Sequence, residues 1–178
     1  MQRTWILDLD DTLAHTTRDM WGDPSRVSHL TLVDGTREFL DETKARGDHR
    51  VLVTMGEWPL QMAKIQLLGL TVDRTSIIPV ARLPEEPDFW SQEKPTEKWD
   101  IFRRLAEAEE HKDILKVLVG DRLDRDIAPG NKLGLTTVRM RLPEGRYSYL
   151  EPQNLEETPD FTVANFFELM QLPFFTEN

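Results

Sequence analysis

Asp8, Asp10 and Asp11 stand directly after the apolar run Trp5-Ile6-Leu7, and Thr12 follows them. Carboxylates crowded at the end of a buried strand repel one another and lose hydration, and a divalent cation placed among them relieves both costs. Side chains two apart on a strand share a face, so Asp8 and Asp10 can reach one site. One can attack phosphorus and form an acyl phosphate that water later cleaves. The other can protonate the leaving oxygen and afterwards take a proton from water. The charge that develops on the phosphoryl oxygens calls for a cation, and oxygen-only ligands at this density suit Mg²⁺. The hydroxyl of Thr54, which ends the run Val51-Leu52-Val53, can hydrogen-bond a phosphoryl oxygen, and a lysine can neutralise another.

The elements that must position these groups alternate between strand and helix. Trp5 to Leu7 reads as a buried strand, and 14–33 as a polar, irregular loop or small hairpin flap. Asp34 to Gly47 has a capping start, an amphipathic middle and a glycine stop. Val51 to Thr54 is a second strand. Trp58 to Leu68 is a helix with Leu60, Met62, Ala63, Ile65, Leu67 and Leu68 roughly on one face, stopped by Gly69. Ile77 to Val80 is a third strand, and 81–95, rich in Pro and acid, is a loop. Thr96 caps a helix reaching about Glu110, and Leu115 to Val119 is a strand ending at Gly120-Asp121. A short helix with Pro129-Gly130 leads to a strand from Leu135 to Met140, then to a small edge strand at Phe161 to Val163 and a closing helix over 165–172.

This order predicts an α/β fold of three layers, Rossmann-like, with a central parallel sheet in the order 3-2-1-4-5 and helices on both faces. Ligands in such sheets bind at the carboxyl ends of the strands. Asp8, Thr54 and Asp121 fall at three of those ends.

At 178 residues the chain is expected to be a single domain over 1–178, with 14–33 as a flap insertion. The absence of cysteine excludes disulfides, thiolate zinc and a cysteine nucleophile. A net charge of -10 argues against bulk nucleic-acid binding. No window is long and apolar enough to span a membrane, and the start leaves no room for a signal peptide, so a cytoplasmic protein is expected. His15, His29, His49 and His111 show no metal-ligand spacing. His15 is a minor candidate for substrate contact, and Trp21, Trp58 and Trp90 fall in or beside rim loops where packing is the main role expected.

The motifs resemble those of haloacid dehalogenase (HAD) superfamily phosphohydrolases, in order over nearly the whole chain. Asp8-Leu9-Asp10-Asp11-Thr12 is similar to the first motif, Val51 to Thr54 to the second, and Gly120-Asp121 with Asp126 to the fourth. For the third motif, Lys94 fits best, and Lys98 in the first helical turn is the alternative. The resemblance implies Asp8 as nucleophile and Asp10 as general acid and base. It implies Mg²⁺ held by Asp8, the Asp10 carbonyl and Asp121, with Asp126 supporting the metal shell or the lysine. Thr54, Gly56 and Arg122 are the candidate substrate contacts, and Lys94 a catalytic one. Dehalogenating relatives lack the carboxylate at the position of Asp10, so phosphoryl transfer is favoured. The short flap resembles the capless type, which implies a phosphorylated substrate that can be large or macromolecular.

The leading expectation is therefore a Mg²⁺-dependent phosphatase. Transfer to an acceptor other than water shares its first half-reaction, and a low-turnover metal-binding module shares its residues. A receiver-like switch is disfavoured, because its acceptor Asp lies on the third strand, where this chain has no acid.

Overall fold

Strand β1 (Arg3–Leu7) is buried along its whole length, as the middle of a parallel sheet covered on both faces demands. In the computed structural model, which describes residues 2–20, 22–78, 97–108 and 114–176, β1 lies between β2 (His49–Met55) and β4 (Leu115–Gly120). With β3 (Arg74–Ile78), β5 (Thr136–Met140) and β6 (Phe161–Val163) the order is β3-β2-β1-β4-β5-β6, every neighbour parallel. The expected order is thus found, with the short C-terminal strand added at the β5 edge. Leu7 pairs with Leu52 on one side and Val119 on the other. That register brings Asp8, Thr54 and Asp121 out at the same sheet edge.

Alternation along the strands sorts the core into two layers. Trp5, Leu7, Leu52, Val117 and Val119 face one side, which is covered by α2 (Thr36–Ala45), α3 (Trp58–Leu67), α6 (Phe166–Leu169) and α7 (Pro173–Thr176). Ile6, Val51, Val53 and Leu118 face the other, against Phe102 of α4 (Glu97–Glu107). Also on that side, α5 (Ala128–Lys132) presses so closely that a Cβ at Gly130 would sit 2.7 Å from both Leu118 and Thr137. The aromatic centre of the first layer is Phe39, its ring 4.8 Å from those of Trp5 and Phe166. Trp5 keeps its indole N–H satisfied by donating to buried Asp48 at 2.9 Å.

Several boundaries differ from those expected. β3 begins at Arg74 rather than Ile77 because Val51, Leu52 and Val53 of β2 offer Arg74, Thr75 and Ser76 a parallel pairing register. α2 is capped not by a side chain but by Gly35 in the left-handed conformation, at φ 78°. The flap is neither bare loop nor hairpin: it holds α1 (Thr16–Met20) and a 3₁₀ turn over Pro24–His29, pinned by an antiparallel bridge between Ala14 and Leu32. No described helix is long and apolar enough to cross a membrane.

Phe39 is fully buried among rings that cannot collapse into its space. Phe39→Ala should therefore lower the free energy of unfolding by about 3–5 kcal/mol, read as a lower midpoint in urea denaturation.

Candidate active site

A helix that follows a strand in a parallel sheet runs back along it, so its first turns lie at the strand's carboxyl edge. Two helices use this placement. Side chains on a helix tilt toward its N-terminus, so Lys98, in the first turn of α4, reaches over the end of β1. Its Nζ lies 2.9 Å from Asp8 and 2.7 Å from Asp126. The alternative lysine of the third motif is thus the one seen at the carboxylates, and Lys94 lies outside the described residues.

Asp8 ends β1, Asp121 ends β4, and Asp126 sits on the π-helical turn Leu123–Ile127 that follows. Asp126 is fully buried and folds back on β4, where a Cβ at Gly120 would stand 2.5 Å from its carboxyl group. Only glycine permits that approach. The second Asp126 oxygen accepts the Arg122 backbone N–H at 3.1 Å. Oxygens of Asp8, Asp121 and Asp126 lie within 4.8 Å of one another.

Among the described residues, then, three buried carboxylates face one ammonium. Burial, with the charges of Asp126 and Asp10, pushes the Asp8 carboxyl up to about 7 against the pull of Lys98. Burial likewise raises Asp121 well above the usual carboxylate range, helped by Asp8 and Asp126. Burial works against the Lys98 charge, but Asp126 and Asp8 outweigh it and raise its hold on the proton. Three anions less one cation leave a formal deficit of two positive charges, which a divalent ion supplies. All the donors are hard oxygens, so the residues fit Mg²⁺.

Asp10 stands apart from this cluster. Its Oδ1 accepts from Lys64 Nζ at 2.6 Å and Thr16 Oγ1 at 2.7 Å, and its Oδ2 accepts from Gln61 Nε2 at 2.9 Å. Gln61 Nε2 also donates to Thr54 Oγ1 at 3.0 Å and to the Met55 carbonyl at 2.6 Å. Since the Thr54 oxygen accepts there, its own O–H is left to donate. Gly56, at φ 155°, lets Gln61 lie against the backbone, because a Cβ there would meet the amide at 2.7 Å.

Lys64, Gln61 and Thr16 were not legible as site residues. α3 does not bury the leucine-rich face expected of it: Gln61, Lys64, Ile65 and Leu68 go inward while Leu67 is half exposed. The available signal was the spacing 61, 64–65, 68, an inward stripe that carries two polar residues.

Other candidates take different places. The Arg122 guanidinium pairs with Asp124 at 2.6 Å, lies over the Tyr147 ring at 4.4 Å and donates to its hydroxyl at 3.3 Å. Asp11 adopts a left-handed turn at φ 51°, and its carboxylate accepts from Thr17 in the flap and from the Arg146 N–H. It is a tie between loops. His15 lines a separate cleft with Arg18, Asp34 and Glu144, and Trp58 is exposed at the start of α3.

Six parallel strands with acids gathered at their carboxyl edge define a Rossmann-like α/β fold. No family model matches the chain. Glyceraldehyde 3-phosphate phosphatase of Methanocaldococcus jannaschii is 31% identical over 147 residues, 83% of this chain and 58% of that protein. The enzyme of the same name from Methanopyrus kandleri is 41% identical over 80 residues, 45% of this chain and 33% of that one. The chain thus spans between a third and three-fifths of the length of these relatives. The HAD-hydrolase YfnB from Bacillus subtilis, in a magnesium-bound structure, superposes with a TM-score of 0.66 over 99% of both chains at 15% identity, a likeness of fold. In fold the chain is thus similar to a HAD-hydrolase, and in sequence to two named phosphatases.

The pH dependence of the metal-free protein follows from the raised Asp8 carboxyl. The unfolded chain loses this proton near 3.8 and the folded chain near 7, so the contribution of Asp8 to stability is fully present below about pH 4 and is lost as pH rises toward 7. Mg²⁺ requires the ionised carboxylates, so its addition should raise the melting temperature more at pH 8 than at pH 5, measured by thermal denaturation with and without the ion. Lys98→Met, which strands the buried acids, should destabilise the metal-free protein by about 3–5 kcal/mol, and Mg²⁺ should recover part of that loss.

Proposed function

We propose that this chain is a Mg²⁺-dependent phosphatase that hydrolyses a small phosphate monoester through an aspartyl phosphate. The observation that carries the reading is the contact of Asp8 with Lys98 beside Asp121 and Asp126, with Asp10 held two residues beyond. In this role Asp8, Asp121 and the Asp10 carbonyl would hold Mg²⁺, and Asp126 fixes Lys98. The bound ion would offset carboxylate and phosphoryl charge.

In the first half-reaction an Asp8 oxygen bonds to phosphorus while the bond from phosphorus to the ester oxygen breaks. The departing oxygen takes the electron pair and a proton from the Asp10 carboxyl. In the second, Asp10 takes a proton from water as that water's oxygen bonds to phosphorus and the Asp8–phosphorus link opens. One ester and one water become one alcohol and inorganic phosphate. Thr54 donates its free hydroxyl hydrogen to a phosphoryl oxygen, and Lys98 steadies another. Gly56 serves this site indirectly: the space on its Cβ side is filled by the Gln61 amide, which meets Thr54.

We read the chain as capless, with the 14–33 flap as the insertion after the first motif, acting in the cytoplasm. The relatives favour a small substrate over the large one expected from an open site. Two are named for glyceraldehyde 3-phosphate, and a ribulose-1,5-bisphosphate 5-phosphatase of Halopiger xanaduensis is 30% identical over 112 residues. Arg122, occupied by Asp124 and Tyr147, is a rim group in this reading.

Phosphate release from 4-nitrophenyl phosphate should require Mg²⁺, stop on chelation and fall by more than about 10³-fold in Asp8→Asn. Full activity in that variant would overturn the assignment. Production of a phosphorylated acceptor in place of inorganic phosphate would make the protein a phosphotransferase.

A further inference from the structure

Lys64 is a lysine with only 5% of its side chain exposed, and its ion-pair partner is the 32%-exposed side chain of Asp10. Burying an ammonium on a long flexible stem is costly, and a helix built for packing alone would place an apolar residue at that position. Gln61, one turn earlier, is equally out of place: it is 1% exposed. Its Oε1 has no hydrogen-bond partner among the described residues, while its Nε2 faces three acceptors. Rotating the amide would set Oε1 against a carboxylate and a carbonyl, so the orphaned oxygen is the cost of pointing the N–H groups at Asp10, Thr54 and Met55. The backbone yields to the same end, since Gly56 is the residue that leaves Gln61 its space.

Building on the phosphatase reading, we infer that Lys64 and Gln61 are positioning residues for proton transfer. Together with Thr16 they fix the rotamer of Asp10, and through Gln61 they tie it to the hydroxyl of Thr54. Asp8, by contrast, meets a cation from the opposite face of the sheet, on α4. Two helices on two faces therefore keep the nucleophile and the acid in separate ionic environments, although the two residues are only one apart from adjacent. Oδ1 of Asp10 accepts from two donors, Lys64 and Thr16, whereas Oδ2 accepts from Gln61 alone and keeps a lone pair for exchange of a proton with the leaving group and then with water. A carboxylic acid swinging freely at a third-exposed position would spend much of its time in other rotamers. Loss of that alignment weakens proton delivery without touching the attack of Asp8.

The reading separates proton delivery from structural support through the leaving group. kcat/KM reports the steps through departure of the ester oxygen, and an aryl oxygen of low pKa leaves without help whereas an alkyl oxygen needs its proton. With Mg²⁺ present, native protein, Lys64→Met and Gln61→Met are compared on a series running from 2,4-dinitrophenyl phosphate to simple alkyl phosphates. In Lys64→Met kcat/KM for the alkyl esters should fall about 10- to 100-fold and for the dinitrophenyl ester less than about threefold. In Gln61→Met, which also frees Thr54, both should fall, the alkyl esters about 10-fold or more beyond the aryl one, so the dependence on leaving-group pKa steepens in both variants. In an Asp10→Asn background, Lys64→Met should add less than about twofold, because it acts through Asp10. The aryl substrate also serves as the check on folding in Lys64→Met. An equal loss across the series, no loss at all, a gain, or a full additional loss in the Asp10→Asn background would each overturn the inference while leaving the phosphatase reading intact. A native protein inert to every ester in the series would overturn that reading, and this inference with it.

Discussion

Everything at the carboxyl edge of this sheet answers to one electrostatic imbalance: Asp8, Asp121 and Asp126 are buried within 4.8 Å of one another, with Lys98 as the described cation among them. Such a cluster is unfavourable in a folded chain unless the remaining charge is met from outside. The surrounding structure is arranged to keep it nevertheless. Gly120 gives up its side chain so that Asp126 can lie against β4, and the π-helical turn after Arg122 aims that carboxylate inward. α4 begins where its second residue can reach both acids. The aromatic layer under Trp5 and Phe39 supplies the rigid floor.

A second polar group is built on the other face of the sheet. There Lys64 and Gln61 of α3 and Thr16 of the flap converge on Asp10. The division follows from strand geometry: Asp8 leaves β1 on the Ile6 side, where α4 packs, whereas α3 covers the opposite side. Two carboxylates separated by a single residue thereby acquire different partners, and in hydrolysis they would need different protonation states at the same moment. The flap contributes through Asp11 as well, which ties the start of α1 to the loop at Arg146. A residue that reads as turn chemistry in the sequence thus joins three segments at the rim.

Much of this was legible in the chain itself. The apolar runs of β1, β2 and β4 are unbroken and end in Asp8, Thr54 and Asp121, so strand identity, parallel pairing and the shared edge follow from pattern and topology alone. The boundaries of β3 and the content of the flap were less so. The residues Arg74, Thr75 and Ser76 are polar and partly exposed, and they become strand only because β2 offers them a pairing register.

The sequence by itself determined the order of strands and helices and the acids at the strand ends, on which the proposed chemistry rests, because these are local signals carried by residue type and spacing. Tertiary structure decided which cations meet which acids. Sequence position favours Lys94 over Lys98 for the third motif, and only the start of α4 shows that Lys98 reaches Asp8. Lys64 and Gln61 are ordinary helix residues until packing turns their side of α3 inward. The physical reason is the same in both cases: an ion pair between distant parts of a chain depends on the rotation and starting point of a helix, and the core sets both.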